Sequence, residues 1–301
     1  MDSIPISEIL LVILVLVDDW YQEYAQEFRK SKPGQKPSFS DSEVMTIMLA
    51  MDFIPFPSER QFVAFLRANY LSLFPKLLDQ SQFNRRARAV APLLEAFRQH
   101  WLVRLGITLT CEGLLDTKPV PVIGYRRSKK RSDFLGSAAY GYCASKEMYY
   151  FGYKLVAITT LDGLPLLYDL VPANTDERKA ADTLLDQLTG FDIFADKGFL
   201  GKAWQQKTCQ QTGNRVWTPK RKNQHVQYAT MFQVWLNRVR LRIEGAFNEI
   251  QNVGKNLDRL LAKTVLGLCS RIVAKMTSHL LKFILRQVYK IDVLSFSRIN
   301  A

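Results

Sequence analysis

The chain has 301 residues, a formal net charge of +13 and a pI near 9.6, with ordinary hydrophobic content. That length exceeds a typical single domain, so two or more units are expected. So basic a balance points to polyanions, nucleic acid above all, with an anionic membrane surface the weaker expectation; no small-molecule cofactor is expected.

Helices account for the first part of the chain. The apolar run Ile9–Val17 is too short for a bilayer, is closed by Asp18 and Asp19, and lacks the Lys/Arg flank of a signal peptide. It reads as a buried helix over 9–28, ending at the turn-rich basic segment 30–37. Ser40 and Glu43 fit a capping box ahead of Val44–Met51, and Ser58 with Gln61 repeats the signal before Phe62, Phe65 and Leu66. A further helix holds Phe83–Arg88, whose Arg85, Arg86 and Arg88 either contact phosphates or line a solvated face. Several short helices with basic positions fit a DNA-binding module, without a clear helix-turn-helix signature. Cys111, Cys143, Cys209 and Cys269 form no CxxC pair, and His100, His225 and His279 are equally scattered. They predict isolated core cysteines, no zinc site and a reducing compartment.

The texture changes near residue 107. Leu114–Val120 has strand character, with Asp116 part-way along and Pro119 marking an edge or an end. Gly124–Arg131 then puts five cations, Arg126, Arg127, Lys129, Lys130 and Arg131, within six residues. Such a run is usually solvated, but beside a carboxylate strand it makes a phosphate clamp. Tyr149–Thr160 is aromatic and β-branched, a strand turned at Asp162-Gly163 into Pro165–Val171. Thr175 or Asp176 caps a helix over 179–188. Phe191, Ile193, Phe194 and Ala195 form a strand buried on both faces, ending in Asp196-Lys197-Gly198. Gly198 permits a tight turn there, so Asp196 projects from a carboxyl strand end, where open α/β sheets hold their chemistry, or is a solvated turn residue. Asn214–Thr218 makes one more strand, followed by the basic loop with Lys220, Arg221 and Lys222. The order is strand, strand, strand, helix, strand, strand, helix: a mixed α/β layout with an antiparallel hairpin in its first half.

Two helices close the chain. In the first, Leu236, Val239, Ile243, Ala246, Ile250 and Val253 make a buried stripe, with Glu244 at its edge and Arg240 one turn earlier. Glu244 either pairs with Arg240 or points into a site; Glu249, on the opposite flank, is its rival. In the last helix, about 264–290, Arg271, Lys275, Lys282 and Arg286 fall within an arc of roughly 60°. That stripe is either a DNA track or a soluble face.

Asp116, Asp196 and Glu244 stand out by position. Hard divalent cations such as Mg²⁺ take carboxylate oxygens. Two such ions about 3.5–4 Å apart activate an attacking oxygen and stabilise a leaving one in phosphodiester chemistry.

Residues from about 110 to 255 resemble the catalytic domain of DDE transposases from bacterial insertion sequences. The resemblance lies in Leu115-Asp116-Thr117-Lys118-Pro119, Tyr153-Lys154-Leu155 with Leu161-Asp162-Gly163 and Pro172-Ala173-Asn174, Ala195-Asp196-Lys197-Gly198-Phe199, and Arg240–Phe247 around Glu244. Related elements carry Tyr-x2-Arg-x3-Glu-x6-Lys; here Arg240 and Glu244 match it, while Asn237 and Gln251 stand at the Tyr and Lys positions. The resemblance implies an RNase H-like mixed sheet flanked by helices. It implies Asp116, Asp196 and Glu244 as catalytic metal ligands for two Mg²⁺ ions, with Mn²⁺ able to substitute. Lys197 and Arg240 join the cations expected to hold DNA. The expected organisation is a helical N-terminal DNA-binding domain (1–105), a catalytic domain (106–258) and a basic helical segment (259–301). The expected partners are double-stranded element ends and target DNA, bound by a homodimer in a bacterial cytoplasm, at the nucleoid. The alternatives are a nuclease of the same fold and a non-catalytic DNA-binding descendant.

Overall fold

A computed structural model describes residues 5–28, 37–54, 56–220, 227–252, 254 and 256–291. The turn-rich segment 30–37 falls outside them apart from Pro37, as do Arg221 and Lys222. The chain divides into two compact units, one comprising 1–101, 253–255 and 260–301, the other 102–252 and 256–259.

The first unit is helical. α1 (Ile6–Tyr24) buries Ile9, Leu10, Ile13, Val17, Trp20 and Tyr21, the three- and four-residue spacing of one helix face. α2 (Asp41–Phe53) starts with the expected capping box: the Glu43 N–H donates to Ser40 Oγ at 3.1 Å and the Ser40 N–H to Glu43 Oε2 at 2.6 Å. α3 (Glu59–Asn69) is capped by Ser58, and α4 (Gln80–Arg104) carries Phe83 and Arg85 to Arg88. Among the described residues no helix is long and apolar enough to cross a membrane.

The second unit is built on a six-stranded sheet. β1 (Glu112–Ile123) lies antiparallel to β3 (Met148–Thr159) and parallel to β5 (Asp192–Ala195), which is itself parallel to β6 (Arg215–Trp217). β2 (Ala139–Cys143) pairs with the first half of β3, and β4 (Pro165–Pro172) with the second. The turn from β3 to β4 is the expected one, with Gly163 at φ +86° and its N–H donating to the Thr160 carbonyl at 3.0 Å. Beyond Leu115 β5 no longer pairs with β1, so a proline at 119 sits where that side of the strand is open.

α5 (Glu177–Leu185) is capped by Asp176, which accepts from the Arg178 N–H at 3.0 Å, and packs on β3 and β4. α6 (Lys202–Thr212) packs on β6. α7 (Thr230–Asn252) lays Leu236, Val239, Ile243 and Phe247 against Leu114, Ala157 and Phe194. Each such burial contributes about 1.5–3 kcal/mol. Phe247 fills the position expected for Ala246, and Val253 lies outside the described residues. This mixed sheet between helices is the RNase H-like architecture that the resemblance implies. β2 and α6 are additions to the expected order.

The segment 259–301, expected as a unit of its own, returns α8 (Val265–Gln287) to the helical unit against α2. Its charged stripe corrects the expectation of a DNA track. Lys275 is 2% exposed and its ammonium sits 3.0 Å from Asp52 Oδ1 of α2. Lys282 reaches Asp52 Oδ2 at 2.8 Å and the Asp52 carbonyl at 3.0 Å. Arg271 donates to the Leu260 carbonyl at 2.7 Å and lies 3.5 Å from Glu59. The stripe borders the apolar face and turns inward with it; Arg286 alone of the four is exposed. The cysteines also depart from expectation: Cys111, Cys209 and Cys269 are exposed and Cys143 is half-buried.

Candidate metal centre and nucleic-acid contacts

Strand register brings the first two predicted carboxylates together. Leu115 pairs with Ala195 across the parallel β1–β5 ladder, so Asp116 and Asp196 are the next residues on adjacent strands. Neighbouring strands lie about 4.8 Å apart. Side chains alternate along β1: Leu114 faces α7, and Asp116 and Lys118 share its face. On β5, Phe194 faces α7, and Asp196 follows it by two positions. Asp196 is half-buried, with its Oδ1 sealed from solvent.

Asp116 is poised but not bare. The Thr117 N–H donates to its Oδ1 at 2.7 Å, and the Lys118 ammonium lies 3.0 Å from its Oδ2. Burial raises its pKa above the ordinary 3.8; Lys118 and the Thr117 N–H pull it down, and neighbouring Glu177 pushes it up. The same ammonium lies 5.7 Å from the Phe247 ring centre of α7.

Glu244 lies on α7 and is exposed. At 3.6 residues per turn it stands roughly 160° around the helix from Ala246. A Cβ built on Gly163 would come within 2.9 Å of the Ala246 Cβ, so Ala246's flank faces the β3–β4 turn, at the amino end of β1. Glu244's flank is therefore the one nearer the carboxyl ends of β1 and β5. The rival, Glu249, shares the Ala246 flank, which argues against it. Among the described residues no three His, Cys, Asp or Glu side chains are grouped closely enough to hold one metal ion. The donor chemistry nonetheless suits a hard divalent cation: two adjacent carboxylates, one with a sealed oxygen and the other already against a cation, the Lys118 ammonium.

Glu177, at the start of α5, was not legible as a site residue. It accepts from Thr117 Oγ1 at 3.2 Å, and a Cβ on Gly198 would lie 2.0 Å from its Oε2. Lys197–Phe199 form the tight turn expected, as a 3-10 turn, and Gly198 also serves close approach by this carboxylate. Burial pushes the Tyr150 phenol up to about 12, with Cys143 and Glu177 adding to the shift.

The predicted DNA contacts divide. Arg85, Arg126, Arg127, Lys130, Arg131 and Lys197 are exposed. Lys129 is half-buried against aromatic rings, and Lys220 lies 4.7 Å from the Tyr228 ring centre. Arg86 is tied to Asp41 at 2.6 Å and to the Phe39 carbonyl at 3.0 Å, so it braces the start of α2. Arg88 donates to the Asn84 carbonyl at 3.3 Å. The Arg240 side chain, like Arg221 and Lys222, lies outside what is described.

The mixed sheet, with Asp116 and Asp196 side by side where β1 and β5 part, defines an RNase H-like fold. Residues 108–281, more than half of the chain, match the model of the Transposase DDE domain, and the chain belongs to that family. Solved structures give only faint likenesses. The Mos1 transposase paired-end complex with left transposon end is 11% identical, with 80% of this chain and 88% of that chain covered and a TM-score of 0.23. The Mos1 strand transfer complex is 12% identical, with 94% and 87% covered and a TM-score of 0.22. The Mos1 mariner paired end complex with Mn is 12% identical, with 95% and 87% covered and a TM-score of 0.22. No curated protein matches the chain.

Proposed function

We propose that the chain is a DNA transposase that binds the ends of its own insertion sequence, cuts there and joins the freed end to target DNA. The observation that carries this reading is the register of β1 and β5, which sets Asp116 beside Asp196 on the sheet face that α7 covers. Asp116 and Asp196 would hold divalent cations, Mg²⁺ with Mn²⁺ as a substitute, and Glu244 would complete the set. When bound, two such ions activate an attacking oxygen and neutralise charge at the scissile phosphate. Lys118 would hold Asp116 ionised until the cations arrive. Thr117 would fix its carboxylate plane through the backbone N–H. Lys197 and the exposed cations of 124–131 would bind backbone phosphates on either side of the reacting bond. Two ends must be handled together, so the active species would be a homodimer on double-stranded DNA, at a bacterial nucleoid.

The test is cleavage of a labelled element end in Mg²⁺ by the full chain and by Asp196→Ala. Nicking at the element boundary and joining to target DNA by the wild type alone supports the reading. Equal cutting by both proteins refutes the site. Cutting without end specificity or joining would make the chain a nuclease, and end binding without cutting a non-catalytic descendant.

A further inference from the structure

Strand β2 is built inside out. Tyr140 pairs with Phe151 and Tyr142 with Tyr149 across the antiparallel ladder, so all four rings share one face. Tyr140, Tyr142 and Tyr149 are 54%, 52% and 64% exposed there. The opposite face carries Ala139 and Gly141, and a Cβ on Gly141 would lie 2.8 Å from the Ala173 carbonyl oxygen. On β2 small residues therefore pack inward and the tyrosines outward, the reverse of what burial alone selects, while β3 turns Tyr150 inward against Gly141.

The basic loop completes this face. Tyr125, 49% exposed, sets its ring 5.5 Å from Tyr140 and 6.2 Å from Tyr149. Tyr142 and Tyr149 lie 4.8 Å apart. The Lys129 ammonium stands 5.2 Å from the Tyr140 ring centre and 5.4 Å from that of Phe151, and donates to the Tyr125 carbonyl. That cation fixes the loop to the rings. Around them Arg126, Arg127, Lys130 and Arg131 remain exposed.

We infer that this face binds unpaired nucleotides of a DNA strand, with bases stacked on the tyrosines and phosphates held by the four exposed cations. The inference rests on the transposase reading and adds a strand form to it. Rings beside a cationic track suit a single strand, whose bases are free to stack on them; in a duplex the bases stack on one another. The positive charge around these rings disfavours an apolar partner.

The experiment is anisotropy of a labelled oligothymidylate and of a blunt duplex of equal length, titrated with the full-length wild type, Tyr140→Ala/Tyr149→Ala and Tyr140→Phe/Tyr149→Phe. The alanine pair should lose about tenfold or more in single-strand affinity. Its duplex affinity should stay within about twofold, and the phenylalanine pair should match the wild type in both. Unchanged single-strand affinity in the alanine pair, with duplex binding intact, overturns the inference and leaves the transposase reading standing. So does a change of sedimentation in place of the binding loss, which would assign the face to protein contact. A wild type that binds neither strand form overturns both readings.

Discussion

Asp52 on α2 and Asp116 on β1 are both carboxylates held by lysine, in settings that differ in closure. Asp52 takes two ammonium groups, from Lys275 and Lys282, with side-chain exposures of 6%, 2% and 14% for the three residues. Asp116 takes one, from Lys118, at exposures of 18% and 22%. The first arrangement is saturated and sealed, and its partners lie more than 200 residues away in sequence. The second is local, two residues apart on one strand, and open enough for a cation to compete. Charge pairing by itself does not tell structure from function; the number of partners and the access of solvent do.

Breaking the sealed pair should have the largest effect. Asp52→Ala leaves Lys275 buried without its counter-charge, a loss of about 3–5 kcal/mol in a denaturant melt. Burial already lowers the Lys275 pKa from 10.5, while Asp52 opposes that shift. With the folded pKa depressed, the unfolded chain binds more protons, so stability rises with pH through the window below 10.5. The Asp52→Ala deficit should therefore shrink as pH rises, and adding Lys275→Met should recover much of it.

The open pair should respond in the opposite direction. Burial raises the Asp116 pKa, so ionised Asp116 costs stability at neutral pH. The sign follows from linkage: between 3.8 and the raised folded value the native chain binds more protons, and stability falls as pH climbs through that window. Asp116→Asn should remove that fall and leave the metal-free protein as stable as the wild type or more so, by about 1 kcal/mol at most. Thermal melts at mildly acidic and at neutral pH check it; a loss like that of Asp52→Ala would put both pairs in one class.

The smallest effect sharpens the same contrast within α8. Arg286→Ala, at the exposed end of the stripe, should leave stability within about 0.5 kcal/mol. If Arg286 meets a phosphate, the salt slope of DNA binding should fall by about one. Lys275→Ala should instead lower the melting temperature.

Much of the sheet was legible because buried strands write themselves as short apolar runs: Ile193–Ala195 before Asp196, and Leu114 and Leu115 before Asp116. The caps at Ser40, Ser58 and Asp176 were legible for a local reason, since each is satisfied within three residues. β2 was missed because its alternation is reversed, with Ala139 and Gly141 inward and the tyrosines outward. α6 was missed because Lys202–Thr212 is almost wholly polar. The α8 stripe showed its spacing but not its direction, which depends on Asp52 far up the chain. Glu177 read as part of a capping loop, and only the fold brings it to Thr117 and Gly198.

The central claim is that Asp116 and Asp196 together hold the divalent cations. Its most direct test is Mn²⁺ binding by the full chain on DNA, followed by electron paramagnetic resonance, in the wild type, Asp116→Asn and Asp196→Asn. Each substitution should weaken binding by about tenfold or more while DNA affinity is retained. Mn²⁺ binding equal in all three proteins would contradict the account and leave Asp116 and Asp196 as ordinary residues of the sheet.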